Sequence, residues 1–243
     1  MKFFLFLVIF FGFVNAQELR IYTEELPPYN YTKNGEIVGV STIFLQHIMK
    51  EYGEELKKEE ISIGSWSRGY EEALREKNSM IYSTARTLER EKLFAWVGPI
   101  DQLIIGVIAK KSKNIKITSP KELNSYKIGT LHRTAAEQLL REVGVDEKNL
   151  DRFANIKSQL KKLEKDRVDL VAFGYEGMKF VQRELGIDTQ KYELVYVLKK
   201  ADLYYAFHKD TDKKFIEDLN KIVQKLNQSK EYSVKAIKES CGL

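Results

Sequence analysis

Residues 81–91 place hydroxyl and guanidinium side chains where an apolar run ends. Ligands of open α/β sheets bind at such places, where a strand ends and the next helix begins. Ser83 and Thr84 would supply hydroxyl groups there, with Ala85 beside them. The stretch therefore predicts the entrance of a binding site.

Two arginines, Arg86 and Arg90, follow within the same stretch. A guanidinium presents a planar fork of N–H donors that matches the oxygens of a carboxylate. A desolvated carboxylate needs such charge-assisted donors, because its burial without them is strongly unfavourable. Alternatively, Arg90 is a solvated side chain paired with Glu89 or Glu91. From the residues alone, the solvated arginine is the favoured interpretation of Arg90.

A helix start is predicted at the sequence Thr134-Ala135-Ala136-Glu137, which has a capping-box pattern. Its backbone N–H groups and the positive end of its dipole would point at an anion. A plain helix cap is the alternative, and the two roles are compatible.

Short apolar runs alternate with segments of helical periodicity over the first half of the chain. The predicted strands are residues 19–22, 60–63 and 80–83, and the predicted helices are 42–52 and 66–77. Ser41 and Ser65 are the expected N-caps of these helices. Such alternation is typical of an α/β sheet with crossover helices.

A second α/β set follows the continuous apolar run 103–109 and opens at Ser119, which begins a further capping box. Its predicted strands are 127–130, 170–173 and 203–208, and its predicted helices are 135–143, 158–165 and 176–185, before an amphipathic C-terminal helix. The pattern does not say which set the C-terminal part joins.

The first sixteen residues fit a secretory signal: one lysine, an apolar run too short to span a bilayer, and small residues at the end. Cleavage after Ala16 would start the mature chain at Gln17. Cys241 is the single cysteine, so the chain has no internal disulfide, which suits a periplasm.

Composition and spacing argue against several function classes. The 40 basic and 35 acidic residues are interspersed, so no nucleic-acid partner is expected. The three histidines lie far apart without carboxylates at ligand spacing, so no metal is expected. Neither a nucleophile elbow nor a phosphate-binding glycine loop is present, and we expect no cofactor.

Several motifs together resemble the solute-binding proteins of polar amino-acid ABC transporters, family 3. They are Ser-Thr-Ala-Arg-Thr-Leu-Glu-Arg-Glu at 83–91, Phe-Ala-Trp-Val-Gly-Pro-Ile at 94–100, Glu-Glu-Leu-Pro-Pro-Tyr-Asn-Tyr at 24–31, Gly-Glu-Ile-Val-Gly at 35–39 and Lys-Ile-Gly-Thr-Leu at 127–131. The resemblance covers nearly all of the mature chain.

The resemblance implies a two-lobed α/β fold of the type II periplasmic-binding-protein kind, in which each lobe is a mixed sheet flanked by helices. The chain would cross twice, near 103–107 and near 199–204. Residues 17–105 and 200–243 would then form lobe 1, and residues 106–199 lobe 2, with ligand held between lobes that close about a hinge.

The resemblance also assigns roles to single residues. Arg90, in the pattern Thr-x-x-Arg from Thr87, stands where the family binds the ligand carboxylate, and the Thr134 hydroxyl and amide would close on the same group. Arg133 departs from the family, where glycine is common before this threonine. Its side chain would either turn outward or enter the cleft and select an acidic ligand.

The partner for a ligand ammonium is less well defined. Family members often have an aspartate after the strand that ends at Phe173, but this chain continues Gly-Tyr-Glu through Tyr175 and Glu176. Either Glu176 replaces the aspartate or no amino group is bound, with Glu24 and Glu25 as further candidates. Asp169 is expected to cap structure.

Aromatic side chains would form the walls of the cleft. Tyr29 and Trp66 stand where relatives line it, and either could stack on a ligand or a cation. Both could equally belong to the core.

These inferences predict a monomeric periplasmic protein that captures a small amino acid or related carboxylate for an ABC permease, without catalysis. One alternative is an enzyme on the same fold, resembling dehydratases of cyclohexadienyl acids, with Glu176 or Glu25 as general acid. A free-standing ligand sensor is the other.

Overall fold

The structure, a computed structural model, describes residues 19–56, 60–153 and 155–241. The expected signal segment 1–16 and its cleavage site lie outside these residues. Within them, no helix is both long and apolar enough to cross a membrane.

Strands and helices alternate along the described chain. The strands are β1 (Arg20–Glu24), β2 (Tyr31–Lys33), β3 (Glu36–Val38), β4 (Ile61–Gly64), β5 (Ser79–Ala85), β6 (Phe94–Val97), β7 (Gln102–Lys110), β8 (Ile128–Leu131), β9 (Leu150–Phe153), β10 (Leu170–Gly174) and β11 (Tyr192–His208). The helices are α1 (Val40–Tyr52), α2 (Trp66–Arg75), α3 (Ala135–Glu142), α4 (Ile156–Glu164), α5 (Tyr175–Glu184), α6 (Lys213–Asn227) and α7 (Val234–Ser240).

The strands form two groups that share β11. In the first group the parallel strands run β4-β1-β5, and the second part of β11 pairs antiparallel with β5 and β6. In the second group the first part of β11 pairs with β7, and the order continues β7-β10-β8-β9. Because β11 is one 17-residue strand, it ties the two groups together.

Each group has its own helices, and we call each group with its helices a lobe. Helices α1, α2, α6 and α7 pack in lobe 1, whereas α3, α4 and α5 pack in lobe 2. Helix α6 buries Leu219, Val223 and Leu226, a spacing that places them on one helical face. The C-terminal segment therefore returns to the first lobe.

The central strands explain the apolar runs of the sequence. All seven residues of β5 and all five of β10 are buried, because each strand has a neighbour on both sides and helices over its faces. The apolar ends of these strands bring Ala85 and Gly174 to the region between the lobes.

The predicted N-cap at Ser41 is wrong, and Ser119 is an N-cap, as predicted, but without the side-chain bond of a capping box. Helix α1 begins at Val40 with Gly39 as N-cap, so Ser41 lies inside the helix, where its Oγ accepts a hydrogen bond from Ser83 Oγ at 2.9 Å. Ser119 begins only a six-residue 3-10 helix, and its side chain makes no capping hydrogen bond. Instead, Glu122 reaches back to Thr118, whose N–H lies 3.2 Å from the carboxylate.

Gly39 allows the loop 27–30 to lie against the start of α1. A Cβ at Gly39, where φ is +116°, would lie 2.4 Å from the carbonyl oxygen of Tyr29. Gly39→Ala should lower the free energy of unfolding by roughly 2–4 kcal/mol, through left-handed strain and a clash with backbone. Urea titration measures this change.

Gly35→Ala is the matched control. Its φ is +82°, but nothing lies within 4 Å of the added Cβ. The expected cost is roughly 1 kcal/mol. Equal costs at the two glycines would contradict the close approach at Tyr29.

Candidate functional site

Two cavities lie between the lobes. The inner cavity has a volume of about 30 Å³ and is lined by Glu24, Leu26, Trp66, Ser83, Ala85, Arg90, Leu103, Ile105, Thr134, Ala135, Ala136, Phe173 and Gly174. The outer cavity has a volume of about 520 Å³. Glu24 and Trp66 line both cavities, so the two are neighbours.

Arg90 is the largest fully buried side chain of the described structure, at 1% exposure. It follows β5, and its Nη1 donates to the carbonyl oxygen of Ala85 at 3.3 Å. The guanidinium lies 5.1 Å from the ring centroids of both Trp66 and Tyr70. These contacts hold the cation at the inner cavity by hydrogen bonding and by attraction to aromatic faces.

The charge of Arg90 is not neutralised by a nearby carboxylate. In the described residues no Asp or Glu oxygen lies within salt-bridge distance of the guanidinium, and Nε has no hydrogen-bond partner. Burial lowers the pKa of Arg90, yet a guanidinium remains charged in proteins. Such a cation favours an anion that enters the cavity.

The start of α3 faces this cation from lobe 2. Thr134 is its N-cap: the hydroxyl accepts from the Glu137 N–H at 3.4 Å and donates to the carbonyl oxygen of Leu131 at 2.9 Å. Ala135 and Ala136 follow it along the cavity wall. The positive end of the helix dipole thus adds to the field of Arg90.

Glu137 supports this helix start from behind. It is fully buried and accepts hydrogen bonds from the Arg133 N–H and from the guanidinium groups of Arg141 and Arg152. Its charge is therefore balanced by basic side chains on the far side of α3.

Glu24 ends β1 and is 8% exposed, with its carboxyl at the boundary of the two cavities. Burial raises the pKa of Glu24 to about 8, although the charge of Arg90 acts in the opposite direction. Burial dominates, so we take the carboxyl to be protonated at neutral pH. The inner cavity then has a net positive charge.

The loop before α3 joins the lobes across the cleft. The carbonyl oxygen of Arg133 accepts from Arg90 Nη2 at 3.0 Å and from Trp66 Nε1 at 2.9 Å. The carbonyl oxygen of His132 accepts from Ser67 Oγ at 3.0 Å. The Arg133 guanidinium turns outward and pairs with Glu71 at the rim. We call this set of contacts the clasp.

Several residues expected at the site do line the inner cavity. They are Trp66, Ser83, Ala85, Arg90, Thr134 and Ala135. Thr84 is buried in β5 and its hydroxyl donates to the carbonyl oxygen of Ile81 at 3.2 Å. Arg86 lies outside the cavity: it pairs with Glu91 and stacks on Trp96 and Tyr204.

Other expected residues lie away from the inner cavity. Tyr29 is buried, and its hydroxyl donates to the carbonyl oxygen of Gln102 at 3.3 Å. Glu25 lines the outer cavity and accepts from Thr32. On α5, Tyr175 lines a separate cavity of lobe 2, and Glu176 is exposed 3.5 Å from Lys179.

The structure also shows wall residues that sequence reasoning missed. Leu26, Leu103, Ile105 and Phe173 form apolar walls of the inner cavity. Each lies at or near a strand end, a signal that was available in the sequence. The residues of α4 and α5 that line the outer cavity could not be identified from a sequence pattern, because they face the cleft only when the two lobes are packed together.

Metal binding has no support in this part of the chain. Among residues 19–56, 60–153 and 155–241, no group of three or more His, Cys, Asp or Glu side chains is placed to hold an ion. Asp169, expected to cap structure, accepts from the Lys127 N–H at 2.9 Å.

Comparison with known families gives one match. Residues 19–238 match the family described as bacterial extracellular solute-binding proteins, family 3. No curated protein sequence matches the chain at a significant level.

Solved structures share the fold. An ancestral arginine-binding protein bound to arginine has a TM-score of 0.76 at 20% identity, covering 92% of this chain and 97% of its own. The arginine-, lysine-, histidine-binding protein of Geobacillus stearothermophilus has a TM-score of 0.75 at 15% identity, covering 93% of this chain and 96% of its own. A histidine kinase sensor domain with similarity to periplasmic binding proteins has a TM-score of 0.76 at 16% identity, covering 91% of this chain and 95% of its own. The predicted type II periplasmic-binding-protein fold is confirmed.

The raised pKa of Glu24 predicts a dependence of stability on pH. The folded protein retains this proton up to about pH 8, whereas the unfolded chain loses it near the ordinary glutamate value of 4.5. The folded state thus binds more protons between these values, so its stability falls as pH rises through this window. Glu24→Gln should remove the effect, with a gain on the order of a few kcal/mol at pH 9 and little change at pH 4.5.

Urea midpoints of both proteins at pH 4.5, 7 and 9 measure this. Glu142→Gln, which alters an exposed carboxyl at the end of α3 that is not among the groups acting on Glu24, is the control and should leave the pH dependence as it is. A constant difference between wild type and Glu24→Gln at all three pH values would contradict a raised pKa of Glu24 in the folded protein.

Proposed function

The chain belongs to the bacterial extracellular solute-binding proteins, family 3, and from this premise we propose that it captures a small amino acid or related carboxylate between its lobes for uptake by an ABC permease. Neighbours in fold include proteins bound to arginine and to histidine. One of them is the substrate-binding protein of an amino acid ABC transporter. The family is extracellular, so the protein is exported, and we propose that it acts as a periplasmic monomer after cleavage behind Ala16.

The buried, unpaired guanidinium of Arg90 is the observation that carries the proposal. A carboxylate in the inner cavity would accept from Arg90 on one side and from the start of α3 at Thr134 on the other. Charge-assisted hydrogen bonds of this kind are stronger than neutral ones. Since the two donors belong to different lobes, one bound anion favours the closed arrangement.

Closure would follow from the way the chain connects the lobes. We place the hinge near residues 105 and 199, so that residues 17–105 and 200–243 move against 106–199 about β7 and β11. Two crossing strands restrain the motion to opening and closing. The clasp is part of the closed state, and the Arg133 carbonyl would have to leave Arg90 Nη2 to give a carboxylate full access.

Glu24 favours a second candidate function, catalysis on the same fold. A protonated carboxyl group beside a carboxylate-binding arginine is the arrangement of a general acid that acts on an anionic substrate. The residues expected for this role, Glu176 and Glu25, are both exposed, whereas Glu24 is buried in the cleft. The binding function remains our first choice, because the family and its fold neighbours are mainly binding proteins.

Turnover of a cyclohexadienyl acid such as prephenate separates these two functions. If the protein only binds, the ultraviolet absorbance of a prephenate solution changes at the same rate with the protein as in buffer alone. Glu24→Gln then leaves this rate unchanged. A rate above buffer that disappears in Glu24→Gln would favour the enzyme.

Removal of Arg90 should abolish binding of carboxylate solutes. A thermal-shift screen of the twenty amino acids, dicarboxylates and polyamines identifies solutes, because a ligand of the folded state raises the melting temperature. For a carboxylate identified in this way, Arg90→Ala should weaken affinity at least 100-fold, roughly 3 kcal/mol, by loss of a buried charge-assisted contact. Isothermal titration calorimetry measures the change.

Arg86→Ala is the matched control, since Arg86 belongs to the same loop but pairs with Glu91 outside the cavity. It should bind within about threefold of wild type, a difference below 1 kcal/mol. If Arg90→Ala is folded by circular dichroism and retains its affinity, the assignment of the carboxylate site is wrong.

A further inference from the structure

The outer cavity is much larger than the inner one and opens beyond Glu24. With about 520 Å³ against about 30 Å³, it has the room for most of a solute whose carboxylate reaches Arg90. Residues of both lobes form its walls: Glu24, Glu25, Pro27, Tyr31, Thr32, Ile63, Gly64, Ser65 and Trp66 from lobe 1, and Leu131, Asn155, Ile156, Lys157, Phe180, Val181 and Glu184 from lobe 2. It therefore exists only while the lobes are together.

Acidic side chains dominate the charge of these walls. Two charged carboxylates face the cavity, those of Glu25 and Glu184, against one ammonium group, that of Lys157. The carboxyl of Glu24 also faces it; it is protonated while the cavity is empty, and a cation beside it would favour its ionised form. Lys157 lies 3.4 Å from Glu184 in an exposed pair, which neutralises it only weakly. The field in the outer cavity thus favours cations.

Glu24 provides a separate indication of a ligand. Its side chain is more than nine-tenths buried, and within the described residues its carboxyl accepts no hydrogen bond. Because its oxygens are not among the fully enclosed polar atoms that lack a partner, they are open to the cavities that Glu24 lines. A cationic N–H group that enters the outer cavity would supply the missing donor.

Aromatic rings complete a surface suited to a cation. Tyr31 of β2 and Phe180 of α5 meet across the cleft with ring centroids 5.2 Å apart, and both line the cavity. The indole of Trp66 lies between the two cavities. Ring faces attract ammonium and guanidinium groups, and their apolar area suits a methylene chain.

We propose that the outer cavity is a subsite for the guanidinium or ammonium end of an extended solute, recognised by Glu24, Glu25 and Glu184 and enclosed by Tyr31 and Phe180. This rests on the proposed function only for the carboxylate end of the solute. The cationic end is held by residues that Arg90 does not contact.

Arginine and citrulline are the matched probes, because they have the same length and differ in one guanidinium against one neutral urea group. By calorimetry at pH 7.5, wild type should bind arginine at least tenfold more tightly than citrulline. Glu24→Gln should reduce this ratio to within threefold, and Glu25→Gln and Glu184→Gln should each reduce it two- to fivefold. Lys157→Gln should increase it.

Glu193→Gln is the control, because this residue lies in a different cavity of lobe 2. It should leave the ratio unchanged. Equal binding of arginine and citrulline by wild type, or a ratio insensitive to all three acidic substitutions, would overturn the subsite.

Agmatine, which has both cationic groups of an extended solute but no carboxylate, separates this inference from the proposed function. It should bind wild type and Arg90→Ala with similar affinity.

If agmatine binds while all carboxylate solutes fail, the proposed function is wrong and the subsite stands. If arginine and citrulline bind equally and both are lost in Arg90→Ala, the function stands and the subsite is wrong. If none of the three probes binds, the subsite is wrong.

Discussion

A positive charge buried without a carboxylate partner is the constraint around which this cleft is arranged. Arg90 is 1% exposed, and the groups closest to it are two backbone carbonyl oxygens and two aromatic rings. Each stabilises a cation partially, but none neutralises it. Glu24, the acidic side chain at the same cavity, holds its proton at neutral pH because burial outweighs the attraction of Arg90. The site is therefore poised to accept an anion.

The fold determines that this charge can be both buried and accessible. A guanidinium fixed inside a single rigid domain would have to be paired during folding. Here its surroundings come from two lobes that are connected through β7 and β11, so its desolvation depends on how the lobes meet. Strand β11 pairs with β7 up to Asp202 and with β5 from Leu203. These two residues therefore mark the boundary between the two lobes on this strand. Under the proposed function, a bound anion and the closure of the lobes would stabilise each other.

The sequence predicts the elements with strong periodicity and the residues at the ends of strands. The sequence was sufficient to predict helices α1, α2, α3 and α6 and the strand end at Ser83 to Ala85, because apolar spacing and turn chemistry are local properties. The length of β11 could not be predicted in this way. Its first part is half-buried and contains charged residues such as Lys199 and Lys200, and it forms a strand only by pairing with β7.

The same limit applies to the site. Trp66, Arg90 and Thr134 could be placed at the cleft from motif and resemblance. The choice between Glu24 and Glu25 could not be made, since adjacent strand residues face opposite ways and only packing shows which side is buried. Tyr29 and Glu176 illustrate the converse, because residues next to strand ends can point away from the cleft as readily as into it. The outer cavity depends on α4 and α5 meeting the loop after β1, which no local pattern encodes.

The departure at Arg133 shows how one substitution in a motif can change the energetics of closure. Its φ of +60° is a conformation that glycine adopts without strain, so a side chain here has a conformational cost. That cost is offset by contacts that glycine would lack, since the guanidinium pairs with Glu71 across the cleft. The carbonyl contacts to Arg90 and Trp66, in contrast, need only the backbone and would survive in glycine. The side chain therefore adds to the affinity between the lobes, while the carbonyl would compete with the proposed solute for Arg90. A weak, exposed ion pair suits this position, because a strong one would hold the lobes together whether or not a solute had entered.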